Sequence, residues 1–324
     1  MFTIQFEKAG EPAEVLSVKE VETPKPGAGE VLIRVKACPI NPSDTMFVRG
    51  LYGLKPEFPN ASAGFEGAGE VAEVGEGASI ALGTKVMFTH RGTWAEYVVV
   101  SERAIVPVPE HWDYEIACQS FVNPFTAWAM LHEANLQEGD WLLLTAGGST
   151  FAQLVIQLAQ SRGIKTIATL RRDDQIEQLK ALGVTATINT DKQKIHHAVN
   201  ELTEGKGAKA CFEAVGGETG TQALKSLAEN GQMWIYGLLS MQNSTLDNGL
   251  MIFKSLKIHG FWLTHWMAQS SSEAKKQMRH DVFGLLGSEA LKVEVEARYS
   301  PAEIKEAVAH AERPGRKGKV LIKF

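Results

Sequence analysis

Trp141-Leu142-Leu143-Leu144-Thr145-Ala146-Gly147-Gly148-Ser149-Thr150-Phe151-Ala152 decides the architecture of this chain. A short apolar run, a glycine turn and a helical stretch over 151–161 read together as a buried strand feeding a helix. The unit then repeats: strand 165–170, helix 174–182, strand 186–188, helix 191–202, strand 210–213, helix 219–228 and strand 231–236. Parallel strands need a crossover between them, so this alternation predicts an α/β chain with a doubly wound parallel sheet.

The ends of the chain read differently. Residues 31–37, 69–74 and 95–100 are strands separated by Gly and Pro turns, with a turn cluster at Pro24, Pro26, Gly27 and Gly29. Beyond 264 the pattern is mixed and closes on a strand over 319–323. The expectation is a Rossmann-type domain over 120–264, inserted in a β-rich domain built from 1–119 and 265–324. A length of 324 residues suits about two such domains. The net charge of -5 argues against nucleic acid or an anionic membrane as partner. No apolar run approaches the roughly 20 residues of a membrane span. Cys38, Cys118 and Cys211 are widely spaced, with neither a disulfide framework nor metal-ligand spacing. The chain opens on a strand-like Phe2–Phe6 rather than a leader, so a cytoplasmic protein is expected.

The turn at 146–152 stands where a G-x-G-x-x-G loop would, but only Gly147 of that pattern is kept; Ser149 and Ala152 take the other glycine positions. Glycine matters there because the backbone must approach a pyrophosphate at a helix N-terminus. Alone, the turn reads equally as an unoccupied strand–helix connection. The series around it favours a dinucleotide held by Gly147, Gly148, Ser149, Thr150 and Phe151. The next strand ends Leu170-Arg171-Arg172-Asp173-Asp174. NAD sites carry a carboxylate there for the ribose hydroxyls, whereas two guanidiniums suit a 2′-phosphate, so NADPH is the expected cofactor. Asp173 or Asp174 is then left to cap the following helix. The alternative for Arg171 and Arg172 is a solvated turn. Gly216 and Tyr236-Gly237-Leu238 end two later strands, the position at which such sheets hold ligand.

Ala61-Ser62-Ala63-Gly64-Phe65-Glu66-Gly67-Ala68-Gly69-Glu70-Val71 resembles the G-H-E-x-x-G segment of the medium-chain dehydrogenase/reductase superfamily. Phe65 stands where its zinc alcohol dehydrogenases carry a histidine ligand, and Asn41 where they carry a cysteine. A phenyl ring has no lone pair to give a metal, so no zinc is expected. The resemblance to zinc-independent members covers nearly the whole chain and implies a GroES-like catalytic domain around the nucleotide domain. Asn41-Pro42-Ser43-Asp44 with Gly50-Leu51-Tyr52 resembles a segment shared by quinone reductases and NADPH-dependent 2-enoyl thioester reductases. Gly92-Thr93-Trp94, Val122-Asn123-Pro124-Phe125-Thr126-Ala127 and Gly260-Phe261-Trp262-Leu263-Thr264-His265-Trp266 resemble segments of the thioester reductases.

That resemblance implies Tyr52 as an active-site phenol, able to donate a hydrogen bond or a proton to the carbonyl side of a conjugated substrate. It implies Asn41 as a second polar group, Thr126 near the nicotinamide, Trp94 on the substrate side, and Phe261, Trp262 and Trp266 as walls of an acyl cavity. Plainer readings stand beside these: Tyr52 packing a loop, Asn41 as a turn residue, the aromatics as core. The expected activity is hydride transfer to the β-carbon of an α,β-unsaturated thioester on coenzyme A or an acyl-carrier protein. Alternatives are a quinone or small enone as acceptor, or a non-catalytic nucleotide- or RNA-binding relative of the fold. The family also implies a homodimer. The basic run Lys275–His280 reads as the solvated face of a helix.

Overall fold

The computed structural model describes residues 1–324. They form two compact units, Met1–Val122 with Val293–Phe324, and Asn123–Lys292.

The second unit is built on a six-stranded parallel sheet, ordered Ala186–Asn189, Lys165–Leu170, Trp141–Leu144, Ala208–Glu213, Leu227–Ile235, Lys257–Gly260. The order reverses between Trp141–Leu144 and Ala208–Glu213, which makes the ends of these two strands the switch point of the sheet. Leu142, Leu143 and Leu144 are all buried, as in a sheet sheathed by crossover helices. Two helices differ from the sequence reading. Ile195–Leu202 begins later because Lys192 and Gln193 fold back onto the Asn189 carbonyl, and Gln222 Oε1 accepts the Ile195 N–H at 2.8 Å. Gly217–Lys225 stops early because Leu227 pairs with Ala208 in the sheet.

Residues 265–292 group with this unit, not with the β-rich one. Helix Ser272–Gly287 buries Met278, Val282 and Leu286, and Asp281 Oδ2 accepts from Trp128 Nε1 at 2.9 Å. Gln157 exchanges two hydrogen bonds with the Lys292 backbone. These contacts hold the segment to the parallel-sheet unit, where the sequence reading returned it to the other.

The first unit carries a seven-stranded sheet, ordered Val295–Tyr299, Lys319–Lys323, Glu30–Pro39, Glu66–Val74, Lys85–Thr89, Ile105–Pro107, with Tyr97–Ser101 also pairing to Glu30–Pro39. All pairs are antiparallel except the first. Phe2–Phe6 joins Ser17–Glu20 and Ala61–Ser62 in a smaller sheet. Ile4, Phe6, Ile33, Phe47, Trp94 and Ile322 are among the residues that form one buried core. The expected α/β class, a doubly wound parallel sheet with a separate β-rich part, is the one observed. No helix is long and apolar enough to cross a membrane.

Candidate active site

In the second unit, the Trp141–Leu144 strand runs into the 146–149 turn. Gly147 N–H bonds the Thr169 carbonyl at 2.8 Å, drawing the turn onto the neighbouring strand. A Cβ at Gly147 would lie 2.6 Å from Ala168 Cβ, so only glycine allows this approach. Ser149 Oγ accepts the Ala152 N–H at 3.2 Å and caps helix Thr150–Gln160. The first amides of that helix, at Thr150 and Phe151, have no helical carbonyl to bond. Phe151 packs on Tyr236 with ring centroids 4.2 Å apart. Burial pushes the Tyr236 phenol up, and a hydrogen bond with Ser149 opposes it.

The arginine pair is not symmetric. Arg172 pairs with Asp174 at 3.1 Å, whereas Arg171 is exposed and makes no bond to protein through its side chain. Neither aspartate caps the next helix. Asp173 instead takes Asn189 Nδ2 at 2.6 Å and Lys192, and Gln175 holds the cap position of Ile176–Ala181 while its Nε2 donates to the Gly148 carbonyl at 3.2 Å.

Glu213, which the sequence reading passed over, organises the far side of the switch point. Its buried Oε1 accepts from Val215 N at 2.7 Å, Gly216 N at 2.9 Å and Thr145 Oγ1 at 3.2 Å. A carboxylate closing an otherwise apolar strand was the available signal. Gly216 has φ of 78°, and a Cβ there would lie 2.4 Å from the Gln242 carbonyl oxygen.

Tyr236, Gly237, Leu238, Phe261 and Trp262 line one cavity of about 350 Å³, together with His265, which sequence reasoning missed. Two sets of expected residues thus meet at the ends of adjacent strands. Trp266 does not join them. It is buried, its Nε1 donates to Glu133 Oε1 at 2.7 Å, and its ring meets Trp128 edge-on at 6.3 Å. Trp94, expected on the substrate side, is fully buried in the first unit's core. Thr126 is half-buried in the first turns of helix Val122–Ala134.

In the first unit, Tyr52 is half-buried in the loop after helix Pro42–Val48 and lies on Phe65, ring centroids 5.3 Å apart. Phe47 meets the same Phe65 edge-on at 5.4 Å. Asn41 is turned inward rather than exposed as a reactive group. Its Nδ2 donates to Glu66 Oε1 at 2.7 Å, and it forms a capping box with Asp44 at the start of Pro42–Val48. Glu66 Oε2 accepts from Val122 N at 2.8 Å, and burial pushes this carboxyl up. Burial likewise raises Asp44 to about 8 and lowers Lys319 to about 8. No group of three or more His, Cys, Asp or Glu side chains is disposed to hold a metal ion.

Residues 27–110 match the family model of the alcohol dehydrogenase GroES-like domain, and residues 152–279 that of the zinc-binding dehydrogenase. The chain is 34% identical over 277 residues to the mitochondrial enoyl-[acyl-carrier-protein] reductase of Rattus norvegicus, covering 83% of this chain and 74% of that protein. It is 29% identical to the enzyme of the same name from Dictyostelium discoideum, over 99% of this chain and 94% of that one. Among solved structures, the quinone oxidoreductase of Escherichia coli complexed with NADPH matches with a TM-score of 0.92 and 25% identity, over the full length of both chains.

Proposed function

We propose, from the medium-chain dehydrogenase/reductase superfamily to which this chain belongs, that it is a zinc-independent, NADPH-dependent reductase of 2-enoyl thioesters. The observation that carries this reading is the cavity of about 350 Å³ where Tyr236, Gly237 and Leu238, at the end of one strand, meet Phe261 and Trp262 after the next. Similarity to the named enoyl reductases supports the substrate class.

The residues at hand suit NADPH. Gly147 lets the turn lie flat, the amides opening helix Thr150–Gln160 suit a pyrophosphate, and the unpaired Arg171 suits a 2′-phosphate. Gly148, Ser149, Thr150 and Phe151 would complete the same cradle, Arg172 would stand with Arg171 toward the 2′-phosphate, and Thr126 and Gly216 would serve the nicotinamide half. When bound, NADPH supplies the hydride that the substrate β-carbon accepts. Charge then gathers on the thioester carbonyl oxygen, where a hydrogen-bond donor stabilises the transition state more than the ground state. Tyr52 O–H is that donor in this reading, its ring steadied by Phe65. Phe261 and Trp262 receive the acyl chain. Asn41 acts as a positioning residue through its cap on Pro42–Val48. Zinc-independence rests on Phe65, which offers a metal no lone pair.

Steady-state reduction of crotonyl-CoA, longer enoyl-CoAs and quinones with NADPH tests the proposal. Turnover of quinones with enoyl thioesters ignored overturns it and favours a quinone reductase, the reading supported by likeness to the Escherichia coli enzyme. A homodimer is part of the same proposal. Strand Lys257–Gly260 forms an edge of the parallel sheet, and Leu246, Ile252 and Phe253 are exposed in the segment before it. Sedimentation as a monomer at micromolar concentration rules this out. The three free, buried thiols suit a reducing compartment such as the cytosol.

A further inference from the structure

The second unit has another concavity, of about 330 Å³, between the end of helix Thr150–Gln160 and helix Ser272–Gly287. Trp128, Ser161, Arg162, His280, Asp281 and Gly284 are among its lining residues. Arg162 is half-buried, and its guanidinium makes no hydrogen bond or ion pair within the protein. It lies over the Trp128 indole, 6.0 Å from the ring centroid. Asp281 makes no contact ion pair with it, and its two oxygens are turned to other donors. Oδ2 accepts from Trp128 Nε1 at 2.9 Å and Oδ1 from Gln277 Nε2 at 2.7 Å. Burial pushes Arg162 down, against the pull of Asp281.

A half-buried guanidinium with no protein acceptor keeps its in-plane N–H donors free to meet an oxyanion that enters the concavity. The indole face attracts the cation but accepts none of its in-plane N–H bonds. Gly284 is the second observation. It lies inside helix Ser272–Gly287, yet a Cβ there would meet nothing within 4 Å. A helix-interior glycine is less favourable than alanine, and no neighbour requires it here. Gly284 lines the concavity, so a larger side chain at this position has room to enter it.

We propose that this concavity is a second ligand site, taking a small organic anion whose carboxylate or phosphoryl group is gripped by Arg162 above the Trp128 ring. The planar guanidinium fork matches either oxyanion in bidentate fashion. His280, on the rim, offers a further ring nitrogen. The site is distinct from the cofactor turn and shares no residue with the cavity at Tyr236.

Calorimetric titration of the full chain, with NADPH saturating so that the cofactor turn is occupied, tests it with benzoate, butyrate and inorganic phosphate as probes. One of these is expected to bind saturably at a single site. Its dissociation constant should rise at least tenfold in both Arg162→Gln and Gly284→Leu, with the far-UV circular dichroism of each variant unchanged. Gly284→Leu improves helix propensity, so lost binding there is not lost folding. Binding of phosphate alone, or of the carboxylates alone, assigns the oxyanion. Failure of all three probes to bind the unaltered chain, or binding that survives either substitution, overturns the proposal.

Discussion

Asn41 and Glu66 meet at 2.7 Å, amide nitrogen to carboxylate oxygen, with both side chains almost wholly shut away from water. A carboxylate at 41 would face Glu66 with like charge and no solvent to screen it. Asn41→Asp is therefore expected to lose about 3–5 kcal/mol of stability at pH 8, as for other broken buried pairs. Burial already raises Glu66, so the loss should be smaller at pH 5 than at pH 8, because lower pH favours protonation of one of the two carboxyls and relieves the repulsion. Urea unfolding at both pH values measures this. A variant as stable as the parent at pH 8 would falsify the buried bond.

Asp44 and Lys319 predict a dip in the pH–stability curve. Asp44 is raised by burial from 3.8 to about 8, so the native state holds its proton where the unfolded chain has lost it. Its contribution is full below about pH 4 and falls away as pH rises to about 8, by at most about 1.4 kcal/mol per unit for one proton. Lys319 is lowered from 10.5 to about 8, so its contribution is present above 10.5 and is lost as pH falls toward 8. Stability from this pair should thus be lowest near pH 8. Asp44→Asn keeps a cap acceptor for the Asn41 N–H and is expected to flatten the falling limb in urea titrations at pH 5, 6.5 and 8.

Strand–helix alternation made the parallel sheet legible because each buried strand is a short apolar run bounded by a turn. The turn glycine was legible for the same reason, and the cavity drew together segments the sequence had set far apart. What stayed hidden depends on partners distant in the chain. Gln222 caps a helix that begins at Ile195, and Asp281 holds the Trp128 indole, so neither the helix start nor the grouping of residues 265–292 shows in local pattern. Burial is equally nonlocal. Trp94, Trp266 and Asn41 are the kinds of residue that line sites, and only packing reveals that all three are buried. Glu213 is nonlocal in one bond only: Thr145 Oγ1 reaches it across 68 residues of chain, whereas its bonds from Val215 and Gly216 are local.

Tyr52→Phe removes one oxygen and keeps the ring on Phe65. General acid and oxyanion donors typically contribute about 10²–10³-fold, so turnover of crotonyl-CoA should fall on the order of 10²-fold. NADPH affinity, followed by fluorescence, should stay within twofold. Undiminished turnover removes the phenol from the mechanism.

Arg171→Ala probes the cofactor's extra phosphate. Because Arg171 makes no bond to protein through its side chain and is exposed, the fold should not register the change. Loss of a charge-assisted contact of about 1.5–3 kcal/mol corresponds to roughly 10–100-fold weaker NADPH binding. NADH affinity should be unmoved, so the ratio of the two dissociation constants is the measurement. Equal losses for both cofactors would mean that Arg171 supports the turn rather than the 2′-phosphate.

Phe65→His restores the imidazole of the zinc-binding relatives without restoring their site. The ring it replaces lies against Tyr52 and Phe47 at 5.3 and 5.4 Å, an apolar setting that an imidazole fills poorly. Asn41 remains tied to Glu66, and no other cysteine or histidine cluster stands ready to complete a tetrahedral set. The variant is expected to lose about 1–3 kcal/mol, in line with placing a polar ring in a packed aromatic cluster. After dialysis against trace zinc, elemental analysis should find well under one metal per chain. Stoichiometric zinc retained by this single substitution would mean that the surrounding groups are poised as ligands, and the metal-free reading of the site would fall with it.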